Sequence, residues 1–441
     1  MIHIPSSEIT QPRLHADTLG FTFVWEGHFL RGIYPTAVEQ AKGYFESGFI
    51  DEVVGKGWFP KTWISDFENE QFGMIIEHEM ISPVVYAMEW NFNMLKDAAL
   101  MVLEIAQTGW RHGYNMVDCH KLNVMFKNNR PMYVDLGSFI PRKEGETGYR
   151  PYRSFLRSYY YILDIWKDGA SQIAKRMMAN GLELNTADYY KYKSIVYRKW
   201  DGLLDKKIRW ADDWTLFLAA DKEKIIDKMK SERRWKRKIG IMLKMLSGKV
   251  RMFPSQNLKR VKKKISRFNL HTDNAPAKAL NEELKRLPNL LNKVCPDARS
   301  ATFIDSRSPL SYFDVLQNTK IEKVVAICQN ESRSNKEYQV CKQKPEFNIC
   351  CTQFQMLNNS ILVAGKHPLK RLASDVVIIP DYTFGKSQFR VHNAIYFFNI
   401  CKDYTRQSLI LLHIINSNSE FGENLKEHGW RDLGNNWFVS Q

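Results

Sequence analysis

No apolar run in this chain approaches the roughly 18 residues that a bilayer-spanning helix requires. The opening stretch, Met1-Ile-His-Ile-Pro-Ser-Ser-Glu8, lacks the charged start and apolar core of a secretory signal. Cysteine is sparse and unpatterned. The seven residues, Cys119, Cys295, Cys328, Cys341, Cys350, Cys351 and Cys401, form no Cys-x-x-Cys, and no histidine stands beside them at zinc-ligand spacing. That pattern argues against a disulfide framework and fits reduced thiols in a cytoplasmic protein. Adjacent Cys350 and Cys351 read as small buried residues rather than a redox or metal pair. There is no internal repeat and no Gly-x-Gly-x-x-Gly to wrap a nucleotide's phosphates.

An apolar share of 44% and an aromatic share of 13% supply ample core, and 441 residues suit two or three domains. The net charge of +16 is local. Residues 222–267 hold 18 Lys/Arg against Glu223, Asp227 and Glu232, so +15 of it resides there. In that segment Ile225, Ile226, Met229, Trp235, Ile239, Met242, Met245 and Leu246 recur at three- to four-residue intervals among lysines and arginines. Such a cationic amphipathic helix can lie on an anionic membrane surface, which would place the protein at the periphery of the inner membrane. It can equally pack as a helical linker between domains. Nucleic acid is the weaker third partner.

The pattern predicts a hairpin from Phe21–Trp25 and Phe29–Ile33, turned at Glu26-Gly27, then helix over about 36–54 and a strand at Phe72–Glu77. Apolar positions from Phe92 to Ala106 predict a long buried helix that Gly113 stops. Aromatic residues between 150 and 220, such as Tyr159, Tyr161, Trp166 and Tyr189, read as helix core rather than a base-stacking platform. From 300 onwards the runs Ala301–Ile304, Lys323–Ile327, Asp375–Ile379 and Ser408–Ile414 are spaced for an open α/β sheet.

The most informative stretch is Asp118-Cys-His120-Lys-Leu-Asn123, followed by an apolar strand, a turn at Lys127–Pro131, a second strand and Asp135-Leu-Gly137. A kinase-like fold uses this layout to hold a catalytic base and two metal ligands in one cleft. Asp118 is the candidate catalytic residue, and Asn123 and Asp135 are the candidate magnesium ligands for ATP. The string resembles the Asp-Leu-His-Pro-x-Asn of small-molecule kinases related to aminoglycoside phosphotransferases, His120 included. Three features depart from that pattern. Met116 stands where a histidine usually props the loop, only Gly27 marks the hairpin turn, and no lysine has a Val-Ala-Ile-Lys context. Arg31 is the nearest substitute cation for the nucleotide, with Glu39 on the following helix as its expected partner.

The stretch Glu77–Pro83 through Glu89–Ala99, running into Asp118–Asn123 and Asp135, resembles a bacterial two-part family related to the rhizobial nodulation protein NoeA. Members carry a kinase-like N-terminal region and a class I S-adenosylmethionine-dependent methyltransferase domain. The resemblance implies an α+β kinase-like domain over 15–220, a basic helical linker over 221–297 and an α/β Rossmann-like, methyltransferase-like domain over 298–441. In that last region Asp305 keeps its place in Asp-x-Gly-x-x-x-Gly, the cofactor-binding turn, but Arg307 and Ser311 replace the glycines. Strand two ends in Cys328 rather than the acid that binds a ribose, and Glu331 lies three residues beyond. The expectation is a methyltransferase-like domain that has kept its fold and lost S-adenosylmethionine. Three functions stay open: an ATP-magnesium phosphotransferase acting on a glycan or small-molecule hydroxyl, a methyltransferase of a surface polysaccharide or signalling oligosaccharide, and a non-catalytic membrane-associated scaffold.

Overall fold

The first hairpin forms around Glu26 and Gly27, whose φ values of 45° and 85° give the two-residue turn whose twist matches that of paired strands. A computed structural model describes residues 2–10, 17–143, 151–179, 284–304, 310–328, 331–351, 374–379, 405–412 and 437–440, with most of 184–192, 262–266 and 425–434. Strand β1 (Ile2–His3) is followed by the hairpin strands β2 (Gly20–Trp25) and β3 (His28–Ile33). The helix expected over 36–54 is two helices, α1 (Val38–Glu46) and α2 (Phe49–Gly55). They break at Gly48, whose φ of 72° suits glycine best. Strands β4 (Thr62–Ile64), β5 (Phe67–Glu68) and β6 (Met74–His78) follow, and the antiparallel order β2-β3-β6-β4 makes a four-stranded sheet.

Alternation divides that sheet into two faces. Phe21, Phe23, Leu30, Phe72 and Ile75 form a small outer core with Ile4 and Ile9. Ile33 and Ile76 point the other way, into the main core. Arg31 pairs across the ladder with Ile76 and therefore shares the inward face.

Helix α3 (Phe92–Arg111) is the long buried helix expected from the apolar pattern. The Asn91 side chain caps it by accepting from the Met94 amide at 2.9 Å. Leu95, Val102, Leu103 and Ile105 are fully buried, each contributing roughly 1.5–3 kcal/mol of transfer free energy. Gly113, at φ 85°, follows its end. Strand β7 (Tyr114–Met116), the hairpin strands β8 (Val124–Lys127) and β9 (Arg130–Tyr133), and β10 (Phe139–Pro141) complete this part. Helices α4 (Tyr152–Phe155), α5 (Tyr161–Lys167) and α6 (Ser171–Met178) follow, with a π segment at Leu156–Tyr160 between the first two. Tyr159, Tyr161 and Trp166 are buried there, as core aromatics should be.

Helix α7 (Leu287–Val294) falls inside the span expected as linker, yet it buries Leu287 and Leu291. It precedes β11 (Ser300–Ile304), α8 (Leu310–Asn318), β12 (Lys323–Cys328), α9 (Glu331–Cys341), β13 (Phe347–Cys351), β14 (Ser374–Ile379), β15 (Thr405–Leu412), β16 (Arg431–Gly434) and β17 (Trp437–Ser440). Asn292 Nδ2 ties α7 to the end of α8 by donating to the Asn318 carbonyl at 2.8 Å. The strands form one sheet in the order β13-β12-β11-β14-β15-β17-β16, in which β17 runs antiparallel to both neighbours and the other pairs are parallel. Its central strands are near-continuous apolar runs because a parallel sheet is covered on both faces. The basic segment 222–267 lies outside the described residues, except for positions 262, 263, 265 and 266. No helix among the described residues is long and apolar enough to cross a membrane.

One buried cluster runs from Leu19 through α3 to Val439, so the two sheets share a continuous core. Polar contacts fix how they meet. Asn91 Nδ2 donates to the Ser334 carbonyl and hydroxyl at 3.1 and 2.8 Å. The Asn93 amide donates to Asn335 Oδ1 at 2.8 Å. Asp97 accepts from the Tyr338 hydroxyl at 2.8 Å and from Lys342 at 3.0 Å, and Lys175 donates to the Trp90 and Cys351 carbonyls at 2.5 and 3.0 Å.

His78, at the end of β6, gives this fold a pH dependence. Burial, and then the charge of Arg31, push its pKa from 6.5 down to about 3. Between those values the unfolded chain holds a proton that the folded chain does not, so stability falls as pH drops below 6.5. Lowering the pH from 7 to 5 is expected to cost about 2 kcal/mol more in the wild type than in His78→Gln. Urea denaturation at both pH values checks this; equal losses in the two proteins would refute it.

Candidate functional site

The β8–β9 hairpin acts as a ruler. Its turn at Asn128-Asn129 has φ values of 49° and 58°, the two-residue form that asparagine tolerates. Four-residue arms pair Val124 with Tyr133 and Lys127 with Arg130. The ladder therefore returns the chain beside its starting point: the Val134 amide donates to the Asn123 carbonyl at 2.9 Å. Asn123 Nδ2 then lies 3.3 Å from Asp135 Oδ2, to which it donates. The Tyr133 hydroxyl joins the next loop by donating to the Asp118 carbonyl at 2.9 Å while accepting from Asn123 Nδ2 at 3.3 Å. Burial and the neighbouring Asp135 hold the Tyr133 hydroxyl's pKa well above its usual value, so it stays a donor. Asp118, Asn123 and Asp135 are thus members of one hydrogen-bonded unit.

Asp118 leaves β7 in a short loop anchored by the Val117 amide, which donates to the Ser138 carbonyl at 2.8 Å. Its Oδ1 accepts from the Cys119 and His120 amides at 2.7 and 3.2 Å, and its Oδ2 faces His120 Nε2 at 3.0 Å. Burial alone would raise the pKa, but the His120 hydrogen bond and charge together with the two amides outweigh it, and the value lies below the ordinary aspartate range. The carboxylate is partly exposed and ionised.

Asp135 is engaged on both oxygens. Oδ2 accepts from the Ser138 hydroxyl and Asn123, and Oδ1 accepts from the Gly137 amide at 3.1 Å. Arg31 Nη2 lies 3.5 Å from Oδ1, while Arg31 Nη1 pairs closely with Asp17. The guanidinium is 6% exposed. A Cβ at Gly137 would come within 2.4 Å of both Asp17 carboxyl oxygens, so a larger residue there would have to displace the Asp17 side chain that pairs with Arg31. The partner expected for Arg31 was Glu39, and the structure corrects this. Glu39 is 90% exposed on α1 and pairs with Lys42 at 3.5 Å, because its helix position faces solvent while Arg31 faces the core. Asp17, Tyr133 and Ser138 were not anticipated. Only Tyr133 carried a signal, as the residue that ends the hairpin directly before Val134-Asp135.

Among the described residues, no three His, Cys, Asp or Glu side chains converge to form a metal cage. The side chains here that would hold a hard cation are Asp135 and Asn123, with the Asn123 amide nitrogen rather than its oxygen turned to Asp135.

In the C-terminal sheet, Asp305 and Arg307 lie outside the described residues. The topological switch falls between β11 and β14, at whose carboxyl ends doubly wound sheets bind ligands. At the end of β12 the Cys328 thiol donates to Glu337 Oε2 at 2.8 Å, and the Tyr312 hydroxyl donates to the same oxygen at 2.9 Å. Glu337 is buried, so it does not replace the missing ribose-binding acid. Glu331, at the start of α9, has its pKa raised by burial. Asp375 works at the opposite end of the sheet, where it accepts from the Arg299 and Ser300 amides at 2.8 and 2.9 Å.

The chain matches no family model. It is 31% identical over 75 residues to Nodulation protein NoeA of Rhizobium meliloti (strain 1021), covering 17% of this chain and 16% of that protein. Most of the relative's length therefore lies outside the match. Among solved structures it is similar to the N-methyltransferase NodS from Bradyrhizobium japonicum WM9, at 6% identity over 37% of this chain and 94% of that one, with a TM-score of 0.26. A SAM-dependent methyltransferase from Aquifex aeolicus aligns at 15% identity over 38% of this chain and 97% of that one, also with a TM-score of 0.26. The strand order makes the C-terminal sheet a doubly wound, Rossmann-like α/β sheet, with the antiparallel β17 inserted next to last.

Removing Arg31 should expose how the site is held. Arg31→Ala strands two partly buried carboxylates and is expected to cost about 3 kcal/mol or more, whereas Glu39→Ala should stay within about 0.5 kcal/mol of the wild type. Urea midpoints measure both, and comparable losses would contradict the assignment of partners.

Proposed function

We propose that the chain is a two-part transferase directed at a hydroxyl group on a glycan or small molecule. Its N-terminal unit is kinase-like and carries the reactive side chains, and its C-terminal unit is a methyltransferase-like sheet. The observation that carries the first part is the hydrogen-bonded unit of Asp118, Asn123 and Asp135 built on one hairpin. In this reading Asp118 orients the acceptor hydroxyl. Its depressed pKa suits a group that acts through position and charge rather than one that stores a proton at neutral pH. Asp135 and Asn123 would hold magnesium, which neutralises charge on the phosphate oxygens when bound. Arg31, the candidate cation for the nucleotide, turns both arms of its planar fork to Asp17 and Asp135, so in this reading it holds Asp135 in place rather than binding phosphate itself.

A second reading, S-adenosylmethionine-dependent methylation of a surface polysaccharide or signalling oligosaccharide, is favoured by the strand order of the C-terminal sheet. The described residues fit that cofactor poorly, because Cys328 and not an acid ends β12. Membrane association through 222–267 belongs to a third, scaffolding reading.

Thermal shifts taken side by side separate the three. A ligand at 100 times its Kd stabilises by about 2.7 kcal/mol, enough to raise the melting temperature clearly. ATP with magnesium is expected to raise it and S-adenosylmethionine is not. The reverse result would favour methyl transfer, and no shift with either would leave the scaffold.

A further inference from the structure

The hairpin that carries Asn123 and Asp135 does not stand alone. In a two-residue turn the amide of the first turn residue has no partner within the hairpin, and here that donor is Asn128 N. It donates to Asn348 Oδ1 at 2.7 Å. Asn348 belongs to β13, the edge strand of the C-terminal sheet, 220 residues away in sequence. The acceptor Asn348 is 1% exposed and the donor Asn128 is half-buried, so the contact is partly shielded from water. The hairpin's inner face is held as well. Phe126 lies edge-on between Trp90, at 5.2 Å, and Tyr338 of α9, at 6.1 Å between ring centroids. Tyr338 is fixed in turn by Asp97 on α3. The tip of the hairpin is therefore held by the second module, and its inner face is packed between Trp90 of the first module and Tyr338 of the second.

We propose that Asn348 is a positioning residue for the Asn123–Asp135 pair: the C-terminal sheet clamps the turn at Asn128 and so holds the two arms in the apposition the site needs. The physical reason is leverage. Two consecutive positive-φ asparagines make a turn that the chain adopts at some cost, and a buried acceptor aimed at the turn amide stabilises that conformation over others. A hairpin of four-residue arms has little cross-strand stability of its own. Its open end, where Asn123 meets Val134 and Asp135, therefore inherits its order from what grips the turn and Phe126. This rests on the reading of Asn123 and Asp135 as a functional pair, and it gives the methyltransferase-like module a role in that site whether or not it binds a cofactor.

Amide hydrogen exchange in the full chain tests the clamp without any ligand. Asn348→Leu keeps the branched outline, though not the volume, and removes the acceptor, and Asn348→Asp keeps an acceptor. The Leu variant is expected to speed exchange of both the Asn128 and Val134 amides about tenfold, equivalent to about 1.4 kcal/mol, with the Leu95 amide of α3 unchanged. The Asp variant should restore protection. Wild-type protection at Val134 in the Leu variant would overturn the proposal, as would faster exchange at Asn128 alone, because either leaves the site end of the hairpin indifferent to Asn348. If the Leu variant fails to fold, Asn348→Ala, which also removes the acceptor, takes its place: faster exchange at Val134 supports the proposal, and wild-type protection there overturns it. A magnesium–ATP titration of the same proteins separates this from the functional reading. An intact clamp with no nucleotide binding by the wild type refutes the phosphotransferase reading alone.

Discussion

Asn91 has to satisfy two structures at once, and most of the molecule is arranged around that double duty. Its carbonyl oxygen caps helix α3 through the Met94 amide, and its amide nitrogen binds Ser334 of the C-terminal module. A side-chain amide presents a donor and an acceptor on one planar group, which a carboxylate or hydroxyl of the same length does not match. The helix it starts is the buried rod of the N-terminal module and leads through Gly113 and β7 into the Asp118 loop. The first turns of that rod, at Asn93 and Asp97, are gripped by α9. The same constraint therefore sets the start of the core helix and the docking of the second sheet.

The charges at the candidate site are balanced locally rather than left to solvent. Asp118 is hydrogen-bonded by His120, and the charges of Asp135 and Asp17 are matched by one nearly buried Arg31. Such pairs contribute little net stability once desolvation is counted, but removing one member is costly. Their value lies in preorganisation: carboxylates and the guanidinium are held at fixed spacing before any ligand arrives. The ordered arrangement of Tyr133, Ser138 and Gly137 around them adds the hydrogen bonds that keep each carboxylate in one orientation.

How much of this the sequence reveals depends on sequence separation. The first hairpin, α3, and the Asp118-to-Asp135 layout were legible because each is written in local period, turn chemistry and short spacing. The four strands expected from 300 onwards were found close to their anticipated bounds. Strand β13 escaped because Phe347–Cys351 is short and sits amid lysine and proline, and β16 and β17 because they are four residues each. Partners of long reach left no mark at all. Nothing near Arg31 points to Asp17, and Asn91 and Ser334 are 243 residues apart. Exposure misled at Glu39, since a helix face cannot be assigned from one acidic residue.

In the phosphotransferase reading proposed here, Asp135 is the carboxylate through which the Asp118 loop would bind a nucleotide with magnesium. Isothermal calorimetry of the full chain with ATP, with and without magnesium, and of Asp135→Ala reads this directly. The account predicts magnesium-dependent ATP binding that the substitution abolishes while the protein stays folded. Binding that is independent of magnesium, or unchanged in Asp135→Ala, would contradict it.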